Sequence, residues 1–335
     1  MDVLLSAYLI VAFALAFDFL NGFHDAANAV ATIVVTRTLS PLQAVFLAGA
    51  ANFAGYFIFG VAVAETVGKG IIVSEYVTLQ IIFSALLGAI VWNILTWFLG
   101  LPTSSSHALI GGLVGSALAA VGPKAVVFHG VAKVASFIII APLLGMAGAV
   151  IFSIIVIRAT HTAVNMGYHR ENVAGLFKKL QLVSATLYSI GHGTNDAQKT
   201  MGVIALVLFS AGINNEFRVD EWVMLSCQAA IALGTVLGGW RIVKTMGTSI
   251  TKIRAMEGFC AETSSAAVLL GTAHSGIPVS TTHVIAGSIM GVGTVEHARG
   301  VRWVTARKIL WAWILTIPAT AAFSGTLYVL LSLLH

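Results

Sequence analysis

Two stretches of this sequence place a carboxylate among amides and histidines inside apolar surroundings. Residues 20–36 read LNGFHDAANAVATIVVT, and residues 191–206 read GHGTNDAQKTMGVIAL. The first stretch centres on Asp25 and the second on Asp196. Because a carboxylate is costly in a bilayer core unless it faces protein or water, an intramembrane aspartate indicates a functional site.

The chemistry that suits these residues is the binding of a small cation or a proton. Two carboxylates beside an anion would repel it unless a cation or proton neutralises them. We therefore expect Asp25 and Asp196 to bind Na⁺ or take up H⁺. All-oxygen ligation fits these ions better than a transition metal. The other expected ligands are unwound backbone carbonyls and the side-chain oxygens of Asn21, Asn28, Asn195 and Gln198.

A second pair of motifs joins proline to a run of hydroxyl side chains. GLPTSSSH occupies residues 100–107 and GIPVSTTH occupies residues 276–283, and a glycine-rich apolar segment follows each. Proline is tolerated in a first helical turn, and the free N–H groups and dipole of a helix start attract anions. The residues expected to contact a tetrahedral oxyanion are Thr103, Ser104, Ser105, Ser106, Ser280, Thr281 and Thr282. Alternatively, these hydroxyls only bond back to helical carbonyls and allow close packing.

Several other polar residues near the motifs have two interpretations each. Lys199 either attracts the anion or neutralises Asp196, and we count it and Gln198 among the substrate contacts. Glu262 either lies near a span end or bonds a neighbouring helix, and Trp313 is expected at an interface or in packing. Four histidines either shuttle protons or pack with one hydrogen bond: His24, His107, His192 and His283.

The composition indicates the elements that hold these motifs. Of the 335 residues, 58% are hydrophobic and 9% are charged, whereas soluble domains have about 25% charged residues. The chain is therefore a polytopic membrane protein, and its net charge of +5 does not indicate nucleic acid. Its two cysteines, Cys227 and Cys260, lie in apolar segments and imply neither a disulfide framework nor a thiolate metal site. The first segment lacks the features of a cleaved signal peptide.

Ten hydrophobic segments are predicted to span the bilayer, each at or above the ~20 residues that this requires. Thirteen Lys/Arg fall on one side and four on the other, so the positive-inside rule favours both termini outside the cell membrane. The segments are roughly 3–36 (interrupted at 21–25), 42–64, 77–99, 103–122, 131–157, 182–209 (interrupted at 191–196), 222–243, 250–275, 277–297 and 303–331.

The order of the motifs repeats, and the repeat predicts the architecture. Each half has an aspartate motif, then two spans, then the proline-hydroxyl motif. Five spans per half would turn the second copy upside down. We expect an all-α polytopic membrane protein of two inverted-topology repeats with broken helices and helix-start anion sites near the midplane. The repeats are residues 1–157 and 181–335, and residues 158–180 form a cytoplasmic connector. Whether this connector contains an amphipathic helix is left open.

Four motifs in order resemble the inorganic phosphate transporter (PiT) family. They are NGFHDAANAVAT at 21–32, GLPTSSSHALIG at 100–111, GTNDAQK at 193–199 and GIPVSTTHVIAG at 276–287. The resemblance implies phosphate uptake driven by Na⁺ or H⁺ through an elevator-like or rocking movement. It places phosphate on residues 104–106 and 280–282, and the cation or proton around the two aspartates and their amide neighbours. His24 and Thr194 depart from the residues usual in the family.

Other functions remain open at this point. The leading expectation is a secondary phosphate symporter that needs no organic cofactor, and its partners would be phosphate, a coupling cation and the lipid bilayer. A sulfate permease could use the same site, and a homodimer is left open. A membrane-embedded metal hydrolase would need a cluster such as HExxH, which this sequence lacks. A passive anion channel would leave the paired aspartates without a purpose.

Overall fold

The computed structural model describes residues 2–58, 60–296 and 300–334. Within them the chain forms twelve α-helices. Arg299 is one of the thirteen Lys/Arg that the positive-inside rule places on the cytoplasmic side, and it lies outside the described residues. The helices of the first half are α1 (Val3–Val35), α2 (Pro41–Ala54), α3 (Ala62–Gly70), α4 (Leu79–Phe98), α5 (Ser105–Val121) and α6 (Phe128–Asn165). Those of the second half are α7 (Arg170–Ser210), α8 (Glu221–Leu237), α9 (Trp240–Lys244), α10 (Ala255–His274), α11 (Thr281–Glu296) and α12 (Trp303–Ser332).

Both aspartate motifs lie inside unbroken helices. The interruptions predicted at 21–25 and 191–196 are wrong, because α1 and α7 continue through them. The polar side chains find partners on neighbouring helices, so the backbone ladder does not have to open. The glycines serve close packing instead: a Cβ added at Gly22 would lie 2.2 Å from the carbonyl oxygen of Ile231. Unwound carbonyls are therefore not cation ligands at these positions.

Two of the predicted spans are shorter helices that begin inside the protein. Helix α5 has 17 residues and α11 has 16, or about 25 Å at 1.5 Å per residue, which is less than ~30 Å of hydrocarbon. The prediction that segments 103–122 and 277–297 have full spanning length is therefore wrong. Each follows its neighbour, α4 or α10, through a tight turn with a glycine at positive φ, Gly100 (65°) or Gly276 (63°).

The long apolar helices give the chain the character of a membrane protein. Among the described residues, α1, α4, α6 and α12 are long and apolar enough to cross a bilayer. Two bent pairs, α2 with α3 and α8 with α9, raise the number to six if each pair counts as one span. The segment 158–180 is mostly a continuation of α6 and α7 around a short turn, rather than a separate amphipathic helix.

Helices of each half pack against helices of the other half. Helix α5 packs on α12 of the other half, while α11 packs on α6; likewise α1 packs on α8 and α7 on α2. Glycines bring these pairs into backbone contact: an added Cβ would lie 2.0 Å from the Ala321 oxygen at Gly115, and 2.1 Å from the Pro142 oxygen at Gly287. Such reciprocal contacts are those of a two-fold relation. The inverted orientation of the halves stays a prediction.

Candidate functional site

The two proline-hydroxyl motifs start neighbouring helices. The Ser104 hydroxyl accepts the N–H of His107 at 3.2 Å, and the Ser280 hydroxyl accepts the N–H of His283 at 3.3 Å. Each serine is thus an N-cap. The centroids of the two imidazole rings lie 4.8 Å apart, so the first turns of α5 and α11 are side by side. Two helix starts brought together offer free N–H groups and partial positive charge to one anion.

The first aspartate motif is tied to the second hydroxyl motif. The Asn28 amide donates to the Thr282 hydroxyl at 2.8 Å. That hydroxyl also lies 3.4 Å from Oδ2 of Asp25 and 3.2 Å from the carbonyl oxygen of Thr103. One side chain of α11 therefore meets the first aspartate motif and the loop before α5.

The second aspartate motif is tied to both hydroxyl motifs. The Lys199 ammonium lies 2.5 Å from Oδ1 of Asp196, 2.5 Å from the Ser106 hydroxyl and 2.7 Å from the Val279 carbonyl. The Thr281 hydroxyl donates to Oδ2 of Asp196 at 3.1 Å. Lys199 therefore does form an ion pair with Asp196, and it also reaches the start of α5.

The remaining hydroxyl and amide residues have partners nearby. Ser105 donates to Oδ1 of Asn21 at 2.5 Å, which joins α5 to α1. The Thr103 hydroxyl instead points to Thr96 of α4, 2.9 Å away, and Thr96 in turn lies 3.3 Å from Nε2 of His24. Thr96 is a site residue that the sequence did not single out.

Each aspartate also has a histidine beside it. Nδ1 of His24 lies 2.7 Å from Oδ1 of Asp25, and Nε2 of His192 lies 3.3 Å from Oδ2 of Asp196. The other ring nitrogen of His192 lies 3.2 Å from the Asn52 oxygen, while its Nε2 has no hydrogen-bond partner among the described residues. If Nδ1 donates to Asn52, Nε2 presents a lone pair, as a metal-bound histidine does.

One candidate cation position follows from these contacts. Asp25, His192 and Asp196 each offer a ligand atom, and the three atoms lie within 4.8 Å of one another. Two carboxylates this close are stabilised by a cation or by a proton that neutralises one of them. The sequence had suggested only oxygen ligands and therefore missed His192 as a candidate ligand, although its position four residues before Asp196 puts both on one face of α7.

The side-chain oxygens of the two predicted amide ligands on α7, Gln198 and Asn195, differ in their contacts. The Gln198 oxygen accepts the N–H groups of Val63 and Ala64 at 2.9 and 3.4 Å, which caps the start of α3. The Asn195 amide donates to the Leu269 carbonyl at 2.9 Å, but its oxygen has no partner among the described residues.

Two residues with open interpretations now have defined contacts. Trp313 packs inside the protein: its indole stacks on His283 with centroids 3.9 Å apart and donates to the Pro102 carbonyl at 2.9 Å. Glu262 forms hydrogen bonds to neighbouring helices, which was one of the two roles expected from the sequence. Its partners are Thr32, Ser184 and Gln181, at 2.5, 2.5 and 3.0 Å.

The whole site is closed to solvent. Every predicted site residue is at most 4% exposed. A hydrated ion or anion therefore reaches the helix starts only after part of the protein moves. A site of this kind is typical of a carrier rather than of an open channel.

Comparisons with known proteins agree with this arrangement. The model of the phosphate transporter family matches residues 21–324. A Rhizobium meliloti protein named "Probable low-affinity inorganic phosphate transporter" is 53% identical over 95% of this chain and 94% of its own length. A Bacillus subtilis protein of the same name is 42% identical over 100% of both chains.

A solved structure extends the comparison to the fold. The structure titled "The sodium-dependent phosphate transporter" superposes with a TM-score of 0.86 at 25% identity and covers 100% of both chains. The match confirms the all-α membrane architecture expected from the composition. By sequence over nearly its whole length, and by fold, this chain belongs to the phosphate transporter family.

Proposed function

We propose that this chain is a secondary active transporter that imports inorganic phosphate across the cell membrane together with Na⁺ or H⁺. The observation that carries the proposal is the meeting of two hydroxyl-rich helix starts directly beside two aspartates from different helices. The names of the relatives at 42% and 53% identity support phosphate as the substrate. The sodium-dependent relative supports a cation as the driving partner.

The helix starts supply the contacts for the anion. The first N–H groups of α5 and α11 are not used by their own helices, and both dipoles are positive at this end. The hydroxyls of Ser105, Ser106, Thr281 and Thr282 line the same turns and are buried. Phosphate would replace some of the present contacts among these side chains, in particular those of Ser106 and Thr281.

The aspartates supply the coupling. Two bare carboxylates 4.8 Å apart would repel each other by about 3 kcal/mol at an effective dielectric constant of about 20, and Lys199 on Asp196 offsets part of this repulsion. A phosphate dianion next to them adds to the repulsion. A cation at Asp25, His192 and Asp196 removes it, so the cation and the anion each favour binding of the other.

Carboxylates beside the anion also favour phosphate over sulfate. Phosphate near neutral pH carries a P–O–H group that donates a hydrogen bond to a carboxylate. Sulfate has no proton to donate and would leave Asp25 or Asp196 facing a negative oxygen. A buried acceptor left unpaired in this way costs about 1–3 kcal/mol. A sulfate permease is the second candidate, and this argument ranks it below phosphate.

Transport assays with the purified protein in liposomes test the proposal. Radiolabelled phosphate uptake would be measured under an inward Na⁺ gradient and, separately, under an inward proton gradient, with excess sulfate as competitor. We expect accumulation under one gradient that sulfate does not reduce. Equal flux without any gradient would indicate a passive pathway, and loss of phosphate uptake to sulfate would favour a sulfate permease.

A further inference from the structure

Asn28 and Lys199 occupy equivalent positions in the two halves. Each stands three residues after its aspartate, Asp25 or Asp196. Each also reaches the second residue of the hydroxyl-rich helix from the opposite half. Asn28 donates to Thr282, the second residue of α11, and Lys199 donates to Ser106, the second residue of α5.

The two equivalent residues differ in charge. Lys199 is 1% exposed, and its three donors have three acceptors: Asp196, Ser106 and the Val279 carbonyl. The ammonium is therefore held firmly against Oδ1 of Asp196. The Asn28 amide makes the matching hydroxyl contact but brings no charge to Asp25.

The surroundings of Asp25 lack a permanent counter-ion. Among the described residues, the ion-pair partner of Asp25 is His24, which carries charge only when protonated. Asp196 has Lys199 on Oδ1, and its Oδ2 lies 3.3 Å from Nε2 of His192. Two carboxylates thus share one built-in positive charge, so one negative charge remains to be balanced.

We propose that Lys199 is a built-in counter-ion that takes the place of one coupling cation, so that a single mobile cation, held at Asp25, His192 and Asp196, accompanies each phosphate. This inference rests on the proposed function. It predicts that an asparagine at position 199, the residue of the first half, makes room for a second cation. A lysine at position 28 would instead fill the position of the mobile cation and uncouple transport.

The steady-state ratio of internal to external phosphate measures the number of cations transported with each phosphate. A tenfold cation gradient is worth about 1.4 kcal/mol per cation. With the membrane potential held at zero by equal K⁺ on both sides and valinomycin, a tenfold gradient of one coupled cation supports about tenfold accumulation, and of two about a hundredfold. The experiment determines steady-state accumulation in liposomes against cation gradients of several sizes, with Na⁺ or H⁺ as the driving ion identified in the first assay.

Three variants and one control are compared. In the wild-type protein and in the control Lys178→Asn, an exposed position on the same helix, the phosphate accumulation ratio should be proportional to the first power of the cation concentration ratio. Lys199→Asn should approach the second power. Asn28→Lys should lose gradient-driven accumulation but still exchange external for internal phosphate. The double variant Asn28→Lys with Lys199→Asn moves the charge to the other aspartate and should return to the first power.

The outcomes separate this inference from the proposed function. If the wild type accumulates no phosphate under either gradient, the proposed function fails. If the wild type follows the second power, or if active Lys199→Asn keeps the first power, phosphate symport stands and the counter-ion role is overturned. If Lys199→Asn is inactive, recovery of first-power uptake in the double variant supports the role, and absence of recovery overturns it.

Discussion

The Thr282 hydroxyl lies 3.4 Å from the Asp25 carboxylate, although 257 positions separate the two residues. The contact joins the start of α11 to the middle of α1. It places a helix-start hydroxyl suited to an anion and a carboxylate suited to a cation in direct contact. Coupling between the two ligands therefore needs no long pathway through the protein.

The two aspartates should respond differently to neutralisation. Asp25→Asn and Asp196→Asn should both abolish gradient-driven phosphate uptake. Only Asp196→Asn strands a buried lysine, and loss of one partner of a buried pair costs about 3–5 kcal/mol. We therefore expect a lower melting temperature in detergent for Asp196→Asn and little change for Asp25→Asn. Concentrative uptake retained in both variants would contradict the cation role.

Removal of a helix-start hydroxyl should weaken phosphate binding. Ser105→Ala or Thr281→Ala should raise the KM for phosphate by about 5- to 150-fold, the equivalent of 1–3 kcal/mol for a lost partner at a dry anion site. The matched control is Ser116→Ala, a buried serine of α5 whose hydroxyl bonds back to the Gly112 carbonyl. A KM that is unchanged in Ser105→Ala and Thr281→Ala would move the anion site elsewhere.

Two glycines of α7 should tolerate alanine very differently. At Gly193 an added Cβ would lie 2.6 Å from the backbone of Asn52, and overpacking of this kind costs about 1–3 kcal/mol. At Gly175 nothing among the described residues lies within 4 Å, so alanine should stabilise the exposed helix by up to about 1 kcal/mol. Melting temperatures of the purified variants measure the difference. Equal stability of the two would argue against the close contact of α7 with α2.

The predicted orientation can be tested by labelling. Lys178→Cys should react with a membrane-impermeant maleimide only from the cytoplasmic side, and Lys124→Cys only from outside. Both positions are exposed, while the native Cys227 and Cys260 are buried and should give little background. Labelling of position 178 from outside intact cells would show that the orientation is opposite to the predicted one.

The sequence predicted the helix starts well because their signals are local. Proline followed by hydroxyl residues predicts a helix N-terminus, and α5 and α11 begin at Ser105 and Thr281, within the two motifs. The contact of Lys199 with Ser106 was beyond the sequence, because Ser106 lies 93 positions away and only the tertiary fold brings it near.

The errors have two physical origins. Clusters of polar residues look like breaks in a hydrophobic segment, so α1 and α7 were predicted to unwind at their aspartates. In the structure, side chains such as Ser105 and Thr281 supply the missing partners from other helices, and the backbone stays helical. Hydropathy also does not detect the tight turns at Gly100 and Gly276. The short helices α5 and α11 were therefore predicted to be full spans.

The packing of α5 against α12, a helix of the other half, has a consequence for biosynthesis. Helix α12 leaves the ribosome well after α5, and it carries Trp313, which donates to the Pro102 carbonyl just before α5. Until α12 is inserted, the polar loop at the start of α5 is without this partner, and the glycine face of α5 is uncovered. Contacts between residues so far apart in sequence form late. Chains truncated before α12 are therefore expected to present an unfinished polar hairpin to the quality-control proteases of the membrane.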